Sequence, residues 1–359
     1  MNKLLPLLFV TFLFSCSSKE NKKSTGDSML ESYNISINED NSNLNESVDF
    51  VILDDSCENG LFASISKLIV KNELIYILDE VTSSIYVFNM DGKFVKKIKH
   101  IGRGPGEYIR IRDFNVDNNC LYIYDDRTRK LLCYDLQGDK ILHEYSTSFF
   151  ARAFYILTNG DFLYILPKDQ NHKQIVVTDT TGNLKNEFLD FEKDDLDIHT
   201  RHSLLQETSL GIVYSKPESN SFYLLSKENG DILKQYNIIF DNKKDNRDNK
   251  ERKVLSSTPL LLTNIIVGNF RCDKSVFYYE IVGNSKDSRM SVKEIKKGSI
   301  NIDGLLFPVF SMNDSIVVSY ISAEVYQMMD NQNQNILSDS IKEHLDNGGY
   351  ALCLYHLKR

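Results

Sequence analysis

The stretch LIYILDEVTSSIYVFNMDGKFVKKI, Leu74 to Ile98, decides the fold of this chain. It contains three apolar runs of five or six residues, the usual length of a β-strand. A polar turn separates the first two runs, and Asp91-Gly92, a strong hairpin signal, separates the last two. Runs such as Leu74–Leu78 are almost continuously apolar, as expected for a small sheet that packs on both faces. The stretch therefore predicts three strands of one small antiparallel sheet.

The same pattern recurs along the chain. A second copy runs from Leu121 to Tyr145, and weaker copies follow it. The glycines of the hairpin turns lie 46, 44, 48 and 68 residues apart, at Gly92, Gly138, Gly182, Gly230 and Gly298. A fixed period of this size marks an array of supersecondary units. About four short strands per unit is the size of a propeller blade.

The end of the chain supplies a sixth unit that differs from the others. It begins near Leu305 and contains the apolar run Ser315–Tyr320, a segment over 324–345 that is predicted to be largely helical, and a last strand at Ala351–Tyr355. The strand Val48–Leu53 has no blade of its own, and we expect it to close the ring on the last sheet, which removes an open edge. The sequence thus predicts an all-β, six-bladed propeller of four-stranded antiparallel blades with a short helical insertion near the C-terminus.

Two other architectures explain the sequence less well. A membrane barrel needs strands of about 9–11 residues with alternating polarity, and the runs here are shorter and not alternating. Two stacked β-sandwiches remain an alternative, but they do not account for the regular spacing of the turn glycines.

Three segments carry a resemblance to a known family. The register Phe88–Ile98, the loop Gly102–Tyr108 and the segment Asp113–Asp117 resemble the six-bladed β-propeller lipoproteins, relatives of the NHL-repeat proteins. The resemblance covers 46–359 and implies a six-bladed ring. It implies little about activity, because propellers host binding, scaffolding and catalysis alike.

The N-terminus is typical of an exported lipoprotein. Leu4–Phe14 is an apolar stretch too short to span a bilayer. The segment Leu13-Phe14-Ser15-Cys16, which includes the end of this stretch, resembles the lipobox of bacterial lipoproteins. We expect residues 1–16 to be the signal segment, with acylation of Cys16, and 17–46 to be a flexible polar tether. Residues 47–359 form the propeller. An ordinary secretory signal is the alternative.

These features place the protein in the cell envelope, held by a lipid anchor and most consistent with the outer membrane; its facing stays open. The formal net charge of −8 argues against general binding to nucleic acid, which requires a basic surface. The mixed-charge segment Asp241–Lys253 is read as a solvated insertion.

One loop breaks the symmetry of the repeat. The sequence IGRGPGEY, Ile101–Tyr108, follows the first unit and has no counterpart later in the chain. In a propeller it would bridge the rim of blade 1 to the axis of blade 2. Its main role is then structural, but Arg103, Glu107, Tyr108 and Arg110 are candidate ligand-binding residues near the axial mouth.

Paired carboxylates form a second candidate. Asp79 and Asp125 stand at equivalent places, each with an acidic neighbour, where the second strand of a unit enters its turn. They could bind Ca²⁺ or sugar hydroxyls, although aspartates at such places more often cap turns. No other cofactor is indicated.

No catalytic set stands out. His199 and His202 lie in a polar segment without the sequence motif of a zinc peptidase, and no nucleophile elbow or P-loop occurs.

Five cysteines remain after Cys16, so at least one is a free thiol, and Cys120 with Cys133 is the pair that a hairpin could bring together. We expect a binding module for carbohydrate or an envelope protein; the alternative is a metal-dependent lyase or hydrolase with its site in the axial channel.

Overall fold

The computed structural model describes residues 30–35, 44–54, 56, 60–168, 172–193, 204–216, 219–240, 253–272, 275–283, 289–295 and 309–358. Within these ranges the chain forms six sheets and three helices. The strands are, in chain order, β1 (Leu30–Ile35), β2 (Asn45–Ile52), β3 (Lys67–Lys71), β4 (Leu74–Asp79), β5 (Ser84–Asn89), β6 (Phe94–Ile98), β7 (Asp113–Val116), β8 (Cys120–Asp125), β9 (Lys130–Asp135), β10 (Ile141–Ser146), β11 (Ala153–Ile156), β12 (Phe162–Ile165), β13 (Lys173–Thr178), β14 (Leu184–Asp190), β15 (Leu205–Glu207), β16 (Ile212–Ser215), β17 (Ser221–Leu225), β18 (Ile232–Phe240), β19 (Lys253–Leu255), β20 (Leu260–Leu261), β21 (Ile265–Cys272), β22 (Ser275–Val282), β23 (Arg289–Ile295), β24 (Phe310–Asn313), β25 (Ile316–Ser322) and β26 (Tyr350–Leu357). The helices are α1 (Ala323–Met328), α2 (Asn331–Gln334) and α3 (Asp339–Asp346).

Each sheet is one blade of a six-bladed propeller, as the sequence predicted. Blades 1, 2 and 3 consist of β3–β6, β7–β10 and β11–β14, and blade 4 contains β15–β18. In blade 5, β21 pairs with both β19 and β20 on one side and with β22 on the other, and β23 is the outermost strand. Blade 6 contains β24, β25 and β26, with β2 at its edge.

The predicted ring closure is confirmed. Strand β2 pairs antiparallel with β26, so that Val48 lies opposite Tyr355 and Val51 opposite Leu352. The first part of the chain thereby supplies the outermost strand of the last blade. Its backbone groups complete the sheet whose edge would otherwise be open.

The core lies between neighbouring blades. The cluster between blades 1 and 2 joins Tyr76 and Ile85 to Phe114, Leu121 and Tyr134, all of them buried. The opposite face of blade 1 packs on blade 6 through a second cluster. Because the middle strands of a blade are covered on both faces, their sequences are apolar at nearly every position.

The ring has two faces, which are named here by their connections. The hairpin face carries the turns between the third and fourth strands, with Gly92, Gly138, Gly182 and Gly230 in the left-handed region. The loop face carries the links from one blade to the next and the helices α1–α3, which connect β25 to β26. Both faces border the axial cavity described below.

The prediction that Gly298 occupies the hairpin turn of blade 5 is wrong. In blade 5 the hairpin between β22 and β23 begins at Gly283, which has φ of 99°. Gly298 follows β23 in sequence and lies outside the described residues. With Gly283 in its place, the last interval of 68 residues becomes 53 (283 − 230), much closer to the others.

The segment predicted as a polar tether contains a strand. Leu30–Ile35 form β1, which pairs in parallel with β18 and adds a fifth strand to blade 4. Composition over 17–46 did not reveal it, because six residues with alternating Tyr33 and Ile35 are a weak signal within a polar stretch. The end of the predicted tether is also structured, because Asn45 and Glu46 already belong to β2. Cys16 and the predicted tether residues 17–29 and 36–43 lie outside the described residues.

The predicted helical insertion is present. Ser322, Asp330 and Ser338 accept hydrogen bonds from backbone N–H groups at the starts of α1, α2 and α3, respectively, which are standard N-caps. Among the described residues, no helix is long and apolar enough to cross a membrane.

Candidate functional site

The loop Ile101–Tyr108 bridges blades 1 and 2, and its contacts are with the fold itself. The buried Tyr108 hydroxyl donates to Ser83 O at 3.2 Å and accepts from His100 N at 3.1 Å. Burial raises the pKa of Tyr108 to about 12. Tyr108 therefore belongs to the core between the blades and does not face the mouth of the ring.

Glu107 holds the loop in shape. Its carboxylate accepts the N–H of Gly104 at 2.7 Å. A Cβ on Gly102 would lie 1.9 Å from Glu107 Oε2, so glycine is required there to leave room for the carboxylate. Arg103 is exposed, and it has no hydrogen bond or ion pair with any described residue.

The remaining end of the loop is tied to blade 2. Gly106 N–H donates to Glu144, and its carbonyl accepts from the Tyr134 hydroxyl at 2.6 Å. Arg110, just beyond the loop, forms a two-pronged ion pair with Asp126. These contacts account for the loop as a connector, with Arg103 as the one candidate left without a structural partner in the described part of the chain.

Asp79 and Asp125 are equivalent turn anchors. Asp79 accepts from Ala63 N at 2.9 Å and from Val81 N at 3.0 Å, and Asp125 accepts from Ile109 N at 2.8 Å and from Arg127 N at 2.9 Å. Both side chains are fully buried. Each carboxylate thus fastens the link that enters its own blade, which leaves neither available to a ligand in this conformation.

A cavity of about 1050 Å³ occupies the axis of the ring. Every blade contributes to its wall, mostly through the innermost strands. The lining includes Ser64, Asn115, Tyr155, Gln206, Asn269 and Ser311, one from each blade in turn. Its size is at the upper end of the range for small-molecule sites.

Contacts between innermost strands fix the wall of the cavity. Lys67 Nζ lies 2.7 Å from Asp113 Oδ1, and the other oxygen of Asp113 accepts from Phe154 N at 3.0 Å, which links blades 1, 2 and 3. On the opposite side, Gln206 Nε2 donates to Val309 O at 3.2 Å. Strand β15 of blade 4 therefore contacts β24 of blade 6 directly.

Several of the charged groups that border the cavity are neutralised. Lys67 is paired with Asp113, and Lys227 lies 3.0 Å from Glu207. Burial raises the pKa of Glu80, which favours its neutral form. Lys71 and Glu324 also line the wall, and the rest of the surface mixes hydroxyl, amide and aromatic groups with aliphatic side chains, a lining suited to a ligand with both hydroxyl groups and apolar faces.

Asn269 gives the cavity an unused hydrogen-bond donor. Its side chain is only 3% exposed and borders the cavity, and Nδ2 has no hydrogen-bond partner among the described residues. A buried amide without a partner costs free energy, which would be recovered if the side chain turned its Nδ2 from the wall towards a ligand acceptor in the cavity. The sequence did not single out Asn269, because it sits in an ordinary strand run, NIIVGNFRC.

Aromatic rings surround the loop-face mouth. Phe62 stacks on Tyr350 with ring centroids 4.8 Å apart, and Tyr320 lies 6.2 Å from Tyr350. The Tyr350 hydroxyl donates to Ala63 O at 2.9 Å, which joins blade 6 to the link entering blade 1. Tyr320 and Tyr350 both line the cavity, so an entering ligand would pass them.

Metal and thiol chemistry find little support in these residues. The described part of the chain contains no group of three or more His, Cys, Asp or Glu that could hold a metal ion. His199 and His202 lie outside it. Cys120 and Cys133 are free thiols; Cys133 lies opposite Tyr122, so the two cysteines are diagonal across the hairpin.

The chain matches one known protein family, and its fold is similar to that of solved structures. The family described as a domain of unknown function, DUF4934, matches residues 31–347. A protein from Bacteroides fragilis, described as a candidate exported protein, has 18% identity and a TM-score of 0.68, covering 92% of this chain and 100% of its own. A member of the DUF4221 family from Bacteroides vulgatus has 13% identity and a TM-score of 0.52, covering 88% of this chain and 98% of its own. No curated protein matches the chain.

Proposed function

The chain belongs to the DUF4934 family, and we propose that it is a binding module that holds an uncharged polar ligand, most suitably a carbohydrate, in the axial cavity of its propeller. The observation that carries this proposal is the cavity of about 1050 Å³ whose polar wall is shared by all six blades. Because any propeller leaves a channel at its axis, the proposal rests on the chemistry of this lining and not on the space alone.

Carbohydrate fits the chemistry of this wall better than a charged ligand does. Sugars combine hydroxyl groups, which pair with amides and hydroxyls such as Gln206 and Ser257, with apolar ring faces, which pack on aromatic rings such as Tyr320. A charged ligand fits less well, since two of the three lysines that line the cavity, Lys67 and Lys227, already have partners.

The proposed ligand site differs from the site that the sequence predicted. The ligand-binding residues predicted from the sequence are Arg103, Glu107, Tyr108, Arg110, Asp79 and Asp125. Five of these have the structural contacts given above, so the proposed site uses Asn269, Gln206 and the mouth aromatics instead. Arg103 is kept as a test of the loop face.

The location forms part of the proposal. Acylation of Cys16 would anchor the propeller in the cell envelope, most plainly at the outer membrane, with the membrane as its first partner. The description of the Bacteroides fragilis relative as a candidate exported protein agrees with a place outside the cytoplasm. A metal-dependent reaction in the channel has no group of three or more His, Cys, Asp or Glu to support it among the described residues.

A glycan array tests the proposal. The wild-type domain is compared with Ser257→Trp, which places a large ring in the cavity, and with Asn269→Leu, which removes the unused donor. The affinity for each glycan that binds the wild-type domain should fall at least tenfold in both variants. The matched control is Asn186→Leu, which changes an exposed asparagine on the outer strand β14, far from the axis.

Two results would reject the cavity as the site. One is the absence of any glycan that binds with a Kd below the millimolar range. The other is a set of hits that survive Ser257→Trp and Asn269→Leu but disappear with Arg103→Ala, which would return the site to the loop face.

A further inference from the structure

The strand β1 fixes where the lipid-anchored end of the chain leaves the ring. It pairs with β18 over six residues, from Leu30 opposite Gln235 to Ile35 opposite Phe240. Tyr33 and Ile35 are buried in the cluster between blades 4 and 5. Glu31 forms an ion pair with Lys234 and accepts a hydrogen bond from the Tyr33 hydroxyl at 2.6 Å. The strand is therefore an integral part of the rim of blade 4.

This attachment shortens the link to Cys16. Only 13 residues, 17–29, separate Cys16 from Leu30, whereas 28 would separate it from the closing strand β2 if β1 were not docked. Fully extended, 14 residue steps span at most about 50 Å. The chain enters β1 from the hairpin face, because β18 runs from the Gly230 hairpin towards the loop face and β1 is parallel to it.

The same rim exposes apolar side chains. Leu30, Leu233 and Ile239 are each between 47% and 49% exposed. The register places Leu30 and Ile239 on one face of β1 and β18, because Leu30 lies opposite Gln235, and Gln235 and Ile239 alternate along β18. Leu233 is the bulge residue of β18 and lies at the same end of the strand pair as Leu30. Tyr33 and Ile35 point to the other face, into the core. The rim thus combines a short link to a lipid anchor with an apolar surface of its own.

We propose that the outer rim of blade 4, formed by β18 and β1, is the surface of the ring that lies against the lipid membrane. The inference rests on acylation of Cys16, which belongs to the proposed function, but not on the axial ligand. Leu30, Leu233 and Ile239 insert into the lipid interface, and the docked β1 keeps them there by holding the anchor close. Blade 1, three blades away around the ring, is turned from the membrane.

Photocrosslinking of the full, acylated chain in phospholipid vesicles tests this orientation. The crosslinker p-benzoylphenylalanine replaces Leu233 in one sample and Val95 in another; Val95 is 49% exposed on β6, the outer strand of blade 1. Leu184, 59% exposed on β14 of blade 3, is a second control on a rim without an added strand. Lipid adducts should form at Leu233 at least fivefold more often than at Val95 or Leu184.

A variant in which β1 no longer pairs with β18 separates the effect of the docked strand on membrane orientation from the effect of the lipid anchor. Tyr33→Asp with Ile35→Asp expels β1 from the rim, and the adduct yield at Leu233 should then fall to that at Val95. The mass of the mature N-terminal peptide reports acylation of Cys16. An unmodified Cys16, equal yields at the three positions, or an unchanged yield at Leu233 after release of β1 would each overturn the proposal. Glycan binding is measured on the same samples, so a failure of the ligand site is seen separately.

Discussion

Gly102 and Glu107 explain why the most conspicuous loop in the sequence is a connector. The Glu107 carboxylate folds back over Gly102 to accept the N–H of Gly104, and the loop is then pinned to blade 1 by Tyr108 and to blade 2 by Gly106. The sequence alone predicts a mainly structural loop, but it leaves Glu107 among the candidate ligand-binding residues. The decision depends on where one carboxylate points, which local sequence does not determine.

The first prediction concerns this contact. In Gly102→Ala, the added Cβ would displace the Glu107 carboxylate and leave the Gly104 N–H without its acceptor. We expect the free energy of unfolding to fall by about 1–3 kcal/mol. The neighbouring Arg103→Ala, at an exposed position, should change it by less than about 0.5 kcal/mol. Urea unfolding followed by tyrosine fluorescence compares them, and equal stabilities would refute the role given to Glu107.

Between innermost strands, buried polar side chains join blades that are far apart in sequence. Lys67 reaches Asp113, 46 residues later, and also donates to Phe114 O at 2.8 Å. The side chains are only 12% and 7% exposed. Such pairs position the cavity wall, since they hold the first strands of blades 1 and 2 at a fixed separation.

The second prediction follows from that burial. Lys67→Met leaves the Asp113 carboxylate unpaired inside the ring, which should cost about 3–5 kcal/mol of stability. The double variant Lys67→Met with Asp113→Asn removes the uncompensated charge, and it should recover part of the loss. Thermal unfolding monitored by circular dichroism gives the order wild type, double variant, single variant. A single variant as stable as wild type would contradict a structural ion pair.

The interface of blades 5 and 6 contains a titratable group. Glu280 is 3% exposed; Tyr278 donates to its Oε1 at 2.7 Å, and its Oε2 has no partner among the described residues. Burial raises the pKa of Glu280 from 4.5 to about 7, against the opposing influence of the hydrogen bond from Tyr278 and of the positive charges on Lys293 and Lys358. The folded protein thus holds this proton more tightly than the unfolded chain does.

The third prediction is the resulting pH dependence. The stabilisation from protonated Glu280 is complete below about pH 4.5 and is lost as the pH rises to about 7, by roughly 3 kcal/mol. Glu280→Gln mimics the protonated side chain and lacks this loss. The thermal midpoint of wild type minus that of Glu280→Gln should therefore fall between pH 5 and pH 8. A constant difference across this range would show that Glu280 keeps an ordinary pKa.

At the scale of the molecule, the sequence predicted the ring well and its site poorly. The period of the turn glycines, the closing strand and the helical insertion follow from local patterns that each blade repeats. The cavity does not, because its wall takes one or two side chains from each of six distant blades, and residues such as Asn269 and Ser311 carry no local motif. The sequence did not predict strand β1 for a related reason: its two buried residues, Tyr33 and Ile35, are recognisable as core residues only once β1 is paired with the rim of blade 4.

Hydrogen–deuterium exchange with and without a glycan hit tests the central claim most directly. The fourth prediction is that ligand binding slows exchange in peptides that contain the innermost strands β3, β15 and β24 and the segment around Asn269, while the loop Ile101–Tyr108 is unchanged. Protection confined to that loop and its neighbours on the loop face, with the innermost strands unaffected, would contradict a ligand site in the axial cavity.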